Sequence, residues 1–333
     1  MSKKVKMGLS LYSLTNEYYH GLMTTEDCIK AVKYDLGLEG AEILGAQMFK
    51  GYPWPTDKTI YSIRELFDKH GLELFCYAAQ SDCGKRSDRL DLSDKELLNL
   101  AVQDCIVAHK LGAPVIRQQM NITPEVFEQL APYAEFYNVK VGIEVHPPLM
   151  PSGSEIARFI DVIERTGSKY IGFVPDSAIF SESMQSLQLG GTLSNLSVRQ
   201  EIQDYLASAA AIGIPFESVK RDIEKYELNA IERASIQGYF DFFSFGINQK
   251  PDVKGLRKIM PYTFDVHEKL NALNEEYDDI VINNRDFINV VKESDYDGYI
   301  MIEYDGHQGN NEPALPLIKK HLEFCNKILA EIS

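Results

Sequence analysis

Four short stretches of this 333-residue sequence end an apolar run on ionisable side chains. They are Gly142-Ile143-Glu144-Val145-His146-Pro147-Pro148, Gly172-Phe173-Val174-Pro175-Asp176-Ser177, Thr263-Phe264-Asp265-Val266-His267-Glu268-Lys269 and Met301-Ile302-Glu303-Tyr304-Asp305-Gly306-His307. A single acid at a strand end ordinarily caps a helix or makes a salt bridge. Four such endings in succession could bring Glu144, Asp176, His267 and Glu303 to one point. Three carboxylates gathered in a partly desolvated place repel one another, and a divalent cation relieves that repulsion. Mixed carboxylate and imidazole ligation suits manganese, magnesium, zinc or cobalt better than a thiolate-loving metal. One divalent ion, manganese first, is therefore expected. Such an ion polarises a carbonyl, and a positioned base can then take the neighbouring proton.

Further candidates surround these four. His146 follows Glu144 by two residues, so both can face the same side of a strand. It reads as a general base or acid, or as a satisfied structural histidine. The two prolines after it remove backbone donors and stiffen the turn. His146, Glu144 and His307 form the catalytic set, with Asp305 beside His307. Arg117 could hold a substrate oxygen or pair with Glu144. Trp54, in Gly51-Tyr52-Pro53-Trp54-Pro55, could stack on a ring or merely pack its loop. Lys269 could bind substrate or be a solvated helix charge.

Positioning these residues at one rim requires a particular order of elements. Apolar runs at 5–9, 38–43, 72–77, 114–117, 139–145, 170–174, 262–266 and 298–302 read as eight strands. Helical patterns follow them. A hydroxyl cap at Thr24, a capping box Ser93-Asp94-Lys95-Glu96, and Thr123-Pro124 open three helices. Gly112 stops the second of these, and Gly71 and Gly167 stop two others. Eight strand-then-helix units predict a (β/α)₈ barrel of the α/β class, whose active residues lie at the C-terminal strand ends. The absence of G-x-G-x-x-G after the first strand weakens an open doubly wound sheet. Residues 1–333 read as one barrel domain, with an oversized unit at 177–261 between strands six and seven. Within it, 198–211 and 217–234 have helical spacing, and Gly238 to Phe245 holds five aromatics in eight residues. That insertion is a helical cap on the barrel, a substrate lid or a partner surface.

Composition narrows the function. The net charge of −15 argues against nucleic acid or an anionic membrane as partner. The five cysteines show no C-x-x-C pair and read as reduced thiols. No signal-peptide stretch and no apolar window long enough to span a bilayer are seen, so a cytoplasmic location is expected.

These ordered strand endings resemble the xylose-isomerase-like sugar isomerase/epimerase superfamily of TIM barrels. The resemblance implies a divalent metal on Glu144, Asp176, His267 and Glu303. Many members carry a His soon after the strand-six Asp, where this chain has Ile179 and Phe180. Many also carry His-x-His on strand seven, where this chain has Asp265-Val266-His267. Both departures, with the acidic balance, argue against the multi-zinc endonuclease branch. The insertion, the Val145-His146-Pro147-Pro148 turn and the Ile302-Glu303-Tyr304-Asp305-Gly306-His307 ending are similar to the large subunit of bacterial C-glycoside deglycosidases. That narrower resemblance implies carbon–carbon cleavage of a 3-oxo-C-glycoside and a small β-rich partner subunit in a hetero-oligomer. An isomerase or epimerase working through a metal-stabilised enediolate shares the first half-step, and an inositol-ring dehydratase-like lyase shares the metal mouth. A non-catalytic sugar-binding barrel is the alternative outside enzymes. A phosphorylated substrate is disfavoured, since the Gly190-Gly191 pair makes a poor anion site.

Overall fold

The computed structural model describes residues 5–84, 86, 88, 90–119, 121–147, 149–181, 196–211, 214, 216–243, 251–306 and 312–331. Eight strands form one sheet: β1 Lys6–Ser10, β2 Gly40–Leu44, β3 Glu73–Ala78, β4 Val115–Gln118, β5 Lys140–Val145, β6 Ile171–Pro175, β7 Val266–Leu270 and β8 Tyr299–Tyr304. Their order is β6-β5-β4-β3-β2-β1-β8-β7, with every neighbouring pair parallel. Parallel strands need crossover helices, and Thr25–Lys30, Asp57–His70, Asp94–Leu111, Pro124–Tyr137, Ser154–Thr166, Val253–Ile259, Asn284–Glu293 and Ala314–Ala330 supply one after each strand. The result is the expected (β/α)₈ barrel, closed more lightly at one place. Between β6 and β7, two isolated parallel bridges, Phe173 to Thr263 and Asp176 to His267, join the sheet's edges. The Phe264 N–H also donates to the Phe173 carbonyl at 3.0 Å.

Local chemistry explains where the helices begin and end. Thr24 and Asp27 form a reciprocal capping box, and the Ser93 N–H and hydroxyl both donate to the Glu96 carboxylate (2.9 and 2.6 Å). Gly71, Gly112 and Gly167 end their helices in the left-handed region, with φ of 60°, 81° and 61°. The main core joins the strands to the inner faces of these helices.

Two expectations are corrected. The seventh strand is Val266–Leu270, four residues beyond the predicted 262–266; Met260–Tyr262 is a 3₁₀ turn carrying Pro261. Charges at 267–269 disguise that strand in sequence, yet all five of its residues are buried. The helix predicted over 217–234 is two helices, Phe216–Ile223 and Ala230–Phe243. Asn229 and Glu232 cap the second reciprocally: the Asn229 N–H donates to Glu232 (3.0 Å), and the Glu232 N–H donates to Asn229 Oδ1 (3.0 Å). With Gln200–Ala211 they enclose a small core of their own around Ile202, Leu206, Val219, Ile223, Ile236 and Phe240. Of the aromatic run at 238–245, Phe240 is buried there, and 244–245 lie outside the described residues. Among the described residues, no helix is long and apolar enough to cross a membrane.

Gly172 shows how tightly the lightly bonded seam is built. A Cβ on it would run into the Tyr262 carbonyl oxygen and lie 2.7 Å from Phe264 Cε2. Gly172→Ala is expected to destabilise the protein by about 1–3 kcal/mol through overpacking. An equilibrium urea melt measures it, and an unchanged midpoint would contradict this account of the seam.

Candidate metal centre

Parallel strands present all their C-terminal ends on one rim. Glu144 on β5, Asp176 just after β6, His267 on β7 and Glu303 on β8 meet there, as the sequence suggests. All four are buried, and one ligand atom from each lies within 4.8 Å of the others. His267 Nδ1 is the hub: Glu144 Oε1 lies at 3.1 Å, Glu303 Oε2 at 3.5 Å and Asp176 Oδ2 at 4.0 Å.

The other nitrogen of that ring exposes a residue the sequence reading passed over. His267 Nε2 lies 2.9 Å from Glu42 Oε2 on β2, while the Ser10 hydroxyl donates to Glu42 Oε1 at 2.6 Å. A carboxylate behind a histidine fixes the ring's orientation, with Nε2–H donating and Nδ1 facing forward. The signal was present: Gly40-Ala41-Glu42-Ile43-Leu44 places one charge inside a wholly buried strand. Glu42→Gln keeps the shape and removes the charge. It is expected to weaken divalent-metal affinity about 10–100-fold, read by calorimetric titration; unaltered affinity would remove Glu42 from the site.

Arg117 on β4 is buried and lies 3.9 Å from Glu144 Oε2. Gln119, with its amide turned to satisfy both neighbours, donates to Glu144 Oε2 (3.1 Å) and accepts from Arg117 Nη1 (2.6 Å). Arg117 thus braces Glu144, one of its two anticipated roles. Lys269 is no solvated helix charge. It sits inside β7, 6% exposed, with its ammonium 2.6 Å from Glu303 Oε2, 3.1 Å from Asp176 Oδ2 and 3.2 Å from Asp305 Oδ2.

Charge decides what this group of residues can hold. Glu42, Glu144, Asp176, Glu303 and Asp305 face two permanent cations, Arg117 and Lys269. Burial raises the carboxyls of Glu144 and Glu303, but Arg117 with His267, and Lys269 with His267, outweigh it and hold both below the usual range. Burial also disfavours the charged His267 ring, and Glu42 and Glu303 overcome it and raise its pKa. Asp176 is the exception among the four: burial pushes its pKa up, against the pull of Lys269 and His146. Its Oδ1 accepts the Ala178 N–H at 2.7 Å, whereas Oδ2 is buried with no hydrogen bond of good geometry, although Lys269 lies near. An under-compensated oxygen beside an imidazole and two further carboxylates fits a hard or borderline divalent cation.

Two other ionisable groups among the described residues fit a cation less well. In Glu268, His321 and Cys325, behind β7, His321 Nδ1 must donate to the Tyr277 carbonyl (2.7 Å), and Nε2 is 2.5 Å from Glu268 Oε1. A proton fits that gap; an ion needing about 2.0–2.2 Å to each atom does not. In Glu42, Cys76 and Asp265, burial keeps the thiol protonated and raises the Asp265 carboxyl to about 8.

His146 is half-buried at the end of β5. Its Nδ1 lies 2.8 Å from the Pro147 carbonyl oxygen, which can only accept, so Nδ1 carries the hydrogen and Nε2 is left as the basic nitrogen. Trp54 is 58% exposed on its loop. His307 lies outside the described residues.

Comparison with known proteins adds four findings. The model of the family described as xylose isomerase-like TIM barrel matches residues 30–328. A C-glycoside deglycosidase alpha subunit of Arthrobacter globiformis is 29% identical over 98% of this chain and 93% of its own length. A 3'-dehydrocarminate deglycosidase alpha subunit of a Microbacterium species is 27% identical over 98% of this chain and 96% of its own. Among solved structures, the D-psicose 3-epimerase of Clostridium cellulolyticum H10, determined with D-tagatose, shares the fold. Its TM-score is 0.59 at 12% identity, over 98% of this chain and 99% of that one.

Proposed function

The chain belongs to the xylose isomerase-like TIM barrel family, and on that premise we propose that it cleaves the carbon–carbon bond between sugar and aglycone in a 3-oxo-C-glycoside. The observation that carries this reading is the near full-length similarity to deglycosidase alpha subunits, one of them named for a 3'-dehydro, hence 3-oxo, glycoside. Glu144, Asp176, His267 and Glu303 are the proposed ligands of one divalent ion, with manganese the first choice. When bound, the ion supplies Lewis acidity toward the sugar ketone.

The chain's own residues supply the rest. His146 Nε2 takes the proton from the sugar carbon between the ketone and the anomeric carbon. The electron pair left on that carbon forms a double bond to the anomeric carbon as the bond to the aglycone breaks. The aglycone carbon takes a proton, available from the His146 imidazolium, so the products are an unsaturated keto-sugar and the free aglycone. Arg117 and Gln119 hold Glu144 in place, and Glu42 holds His267. Trp54 offers an exposed ring for the sugar or the aglycone, and His307 is a second candidate for proton transfer. By analogy with relatives called alpha subunits, a small β-rich subunit completes the enzyme, and the helices within 177–261 serve as its docking face or as a lid.

Mass-spectrometric product analysis tests this. A 3-oxo-C-glucoside is incubated with manganese, this chain and a co-purified small subunit. Released aglycone that disappears on chelation is the expected result. Unchanged C-glycoside, with ion and partner both bound, would move the assignment to an isomerase or epimerase. That reading uses the same base and ion on a free keto-sugar.

A further inference from the structure

Two oxygens at this site serve two cations. Glu303 Oε2 lies 3.5 Å from His267 Nδ1 and 2.6 Å from Lys269 Nζ. Asp176 Oδ2 lies 4.0 Å from the same imidazole nitrogen and 3.1 Å from the same ammonium. The oxygens turned toward His267 Nδ1, where an ion would sit, are thus those that the lysine approaches. Asp176 Oδ1 is committed to the Ala178 N–H and cannot substitute without turning away.

We propose that Lys269 is a built-in competitor for the divalent ion, its ammonium claiming Glu303 Oε2 and Asp176 Oδ2 and so setting the affinity of the centre for metal. This rests on the metal reading above. A unit positive charge this close to a divalent ion in a buried site is strongly unfavourable, so both cannot keep the same two oxygens. Asp305 Oδ2, 3.2 Å from Nζ and not among the four ligand candidates, is where the displaced ammonium goes. The exchange keeps Lys269 paired while the ion takes over Glu303 and Asp176. The lysine thus makes the centre selective for ions that bind carboxylates strongly enough to displace it, and keeps the carboxylates together between loadings.

The test is calorimetric titration of manganese chloride into chelator-treated wild type and Lys269→Met, with thermal melts of both before and after loading. Lys269→Met should bind one Mn²⁺ at least about tenfold more tightly. It should melt lower than wild type without the ion and gain more on loading. Equal or weaker binding by the variant, with wild type still taking one ion, overturns the competition and leaves the metal reading standing. No binding by either protein sinks the metal reading itself. If Lys269→Met does not fold with or without manganese, anomalous diffraction from manganese-soaked wild-type crystals decides. The ammonium should have left both oxygens for Asp305. An ion bound at His267 with Nζ still on Glu303 Oε2 and Asp176 Oδ2 overturns the proposal.

Discussion

Glu303→Gln is expected to lose the divalent ion and turnover together. Glu303 is the residue on which the mouth's charges converge: one of its oxygens faces both His267 Nδ1 at 3.5 Å and Lys269 Nζ at 2.6 Å. The amide removes one of three ligand carboxylates and leaves Lys269 and Arg117 less well neutralised. Lewis-acid assistance is worth several kcal/mol in a transition state, and each 1.36 kcal/mol is tenfold in rate. The turnover rate should therefore fall by at least about a thousandfold. Metal content after dialysis and turnover on the same preparation are the readouts. A variant that keeps one ion per chain and wild-type turnover would remove Glu303 from the centre.

His146→Ala separates the base from the ion. His146 is not one of the four converging ligands, and its Nδ1–H is engaged by the Pro147 carbonyl. Metal content should stay at the wild-type level while turnover drops about 10²–10⁴-fold, the usual worth of a positioned base. The same variant should fail to exchange the proton next to the ketone for deuterium when a non-cleavable 3-oxo sugar is followed by NMR. Exchange at the wild-type rate would transfer the role to another residue, His307 being the first to test.

The parts of this molecule that were legible in sequence are those whose chemistry is local. Strand runs, caps such as Ser93 with Glu96, and glycine stops need only their near neighbours, and they suffice to count eight units. Parallel strands then carry Glu144, Asp176, His267 and Glu303 to a common rim without further information. Lys269 and Glu42 were obscured because their meaning is non-local. Lys269 looks like a surface charge until Glu303, Asp176 and Asp305 arrive from two other strand ends. Glu42 looks like an ordinary strand residue until His267, 225 positions away, turns its ring toward it. The position of β7 differs from the sequence expectation for a related reason. Periodicity arguments take charged residues to mark an exposed end, whereas barrel closure buries His267 and Lys269 inward and Glu268 outward against His321. The Asn229–Glu232 cap is a local signal of the same kind as Ser93 with Glu96, and it divides the helical spacing at 217–234 into two helices.

The seam between β6 and β7 has a consequence for how this chain could diversify. Its upper bridge pairs Asp176 with His267, two of the proposed ligands, on either side of the long insertion. An ion held by both would act there as a removable cross-link, much as a disulfide ties distant parts of a chain. The helices Gln200–Ala211, Phe216–Ile223 and Ala230–Phe243, which share a core of their own, lie in the chain between those two residues. Because loop-closure entropy grows only logarithmically, doubling such a segment costs about 0.6 kcal/mol. A barrel that such an ion would fasten could thus lengthen, shorten or recast that one segment, and with it whatever the segment touches, while the reacting centre keeps its shape.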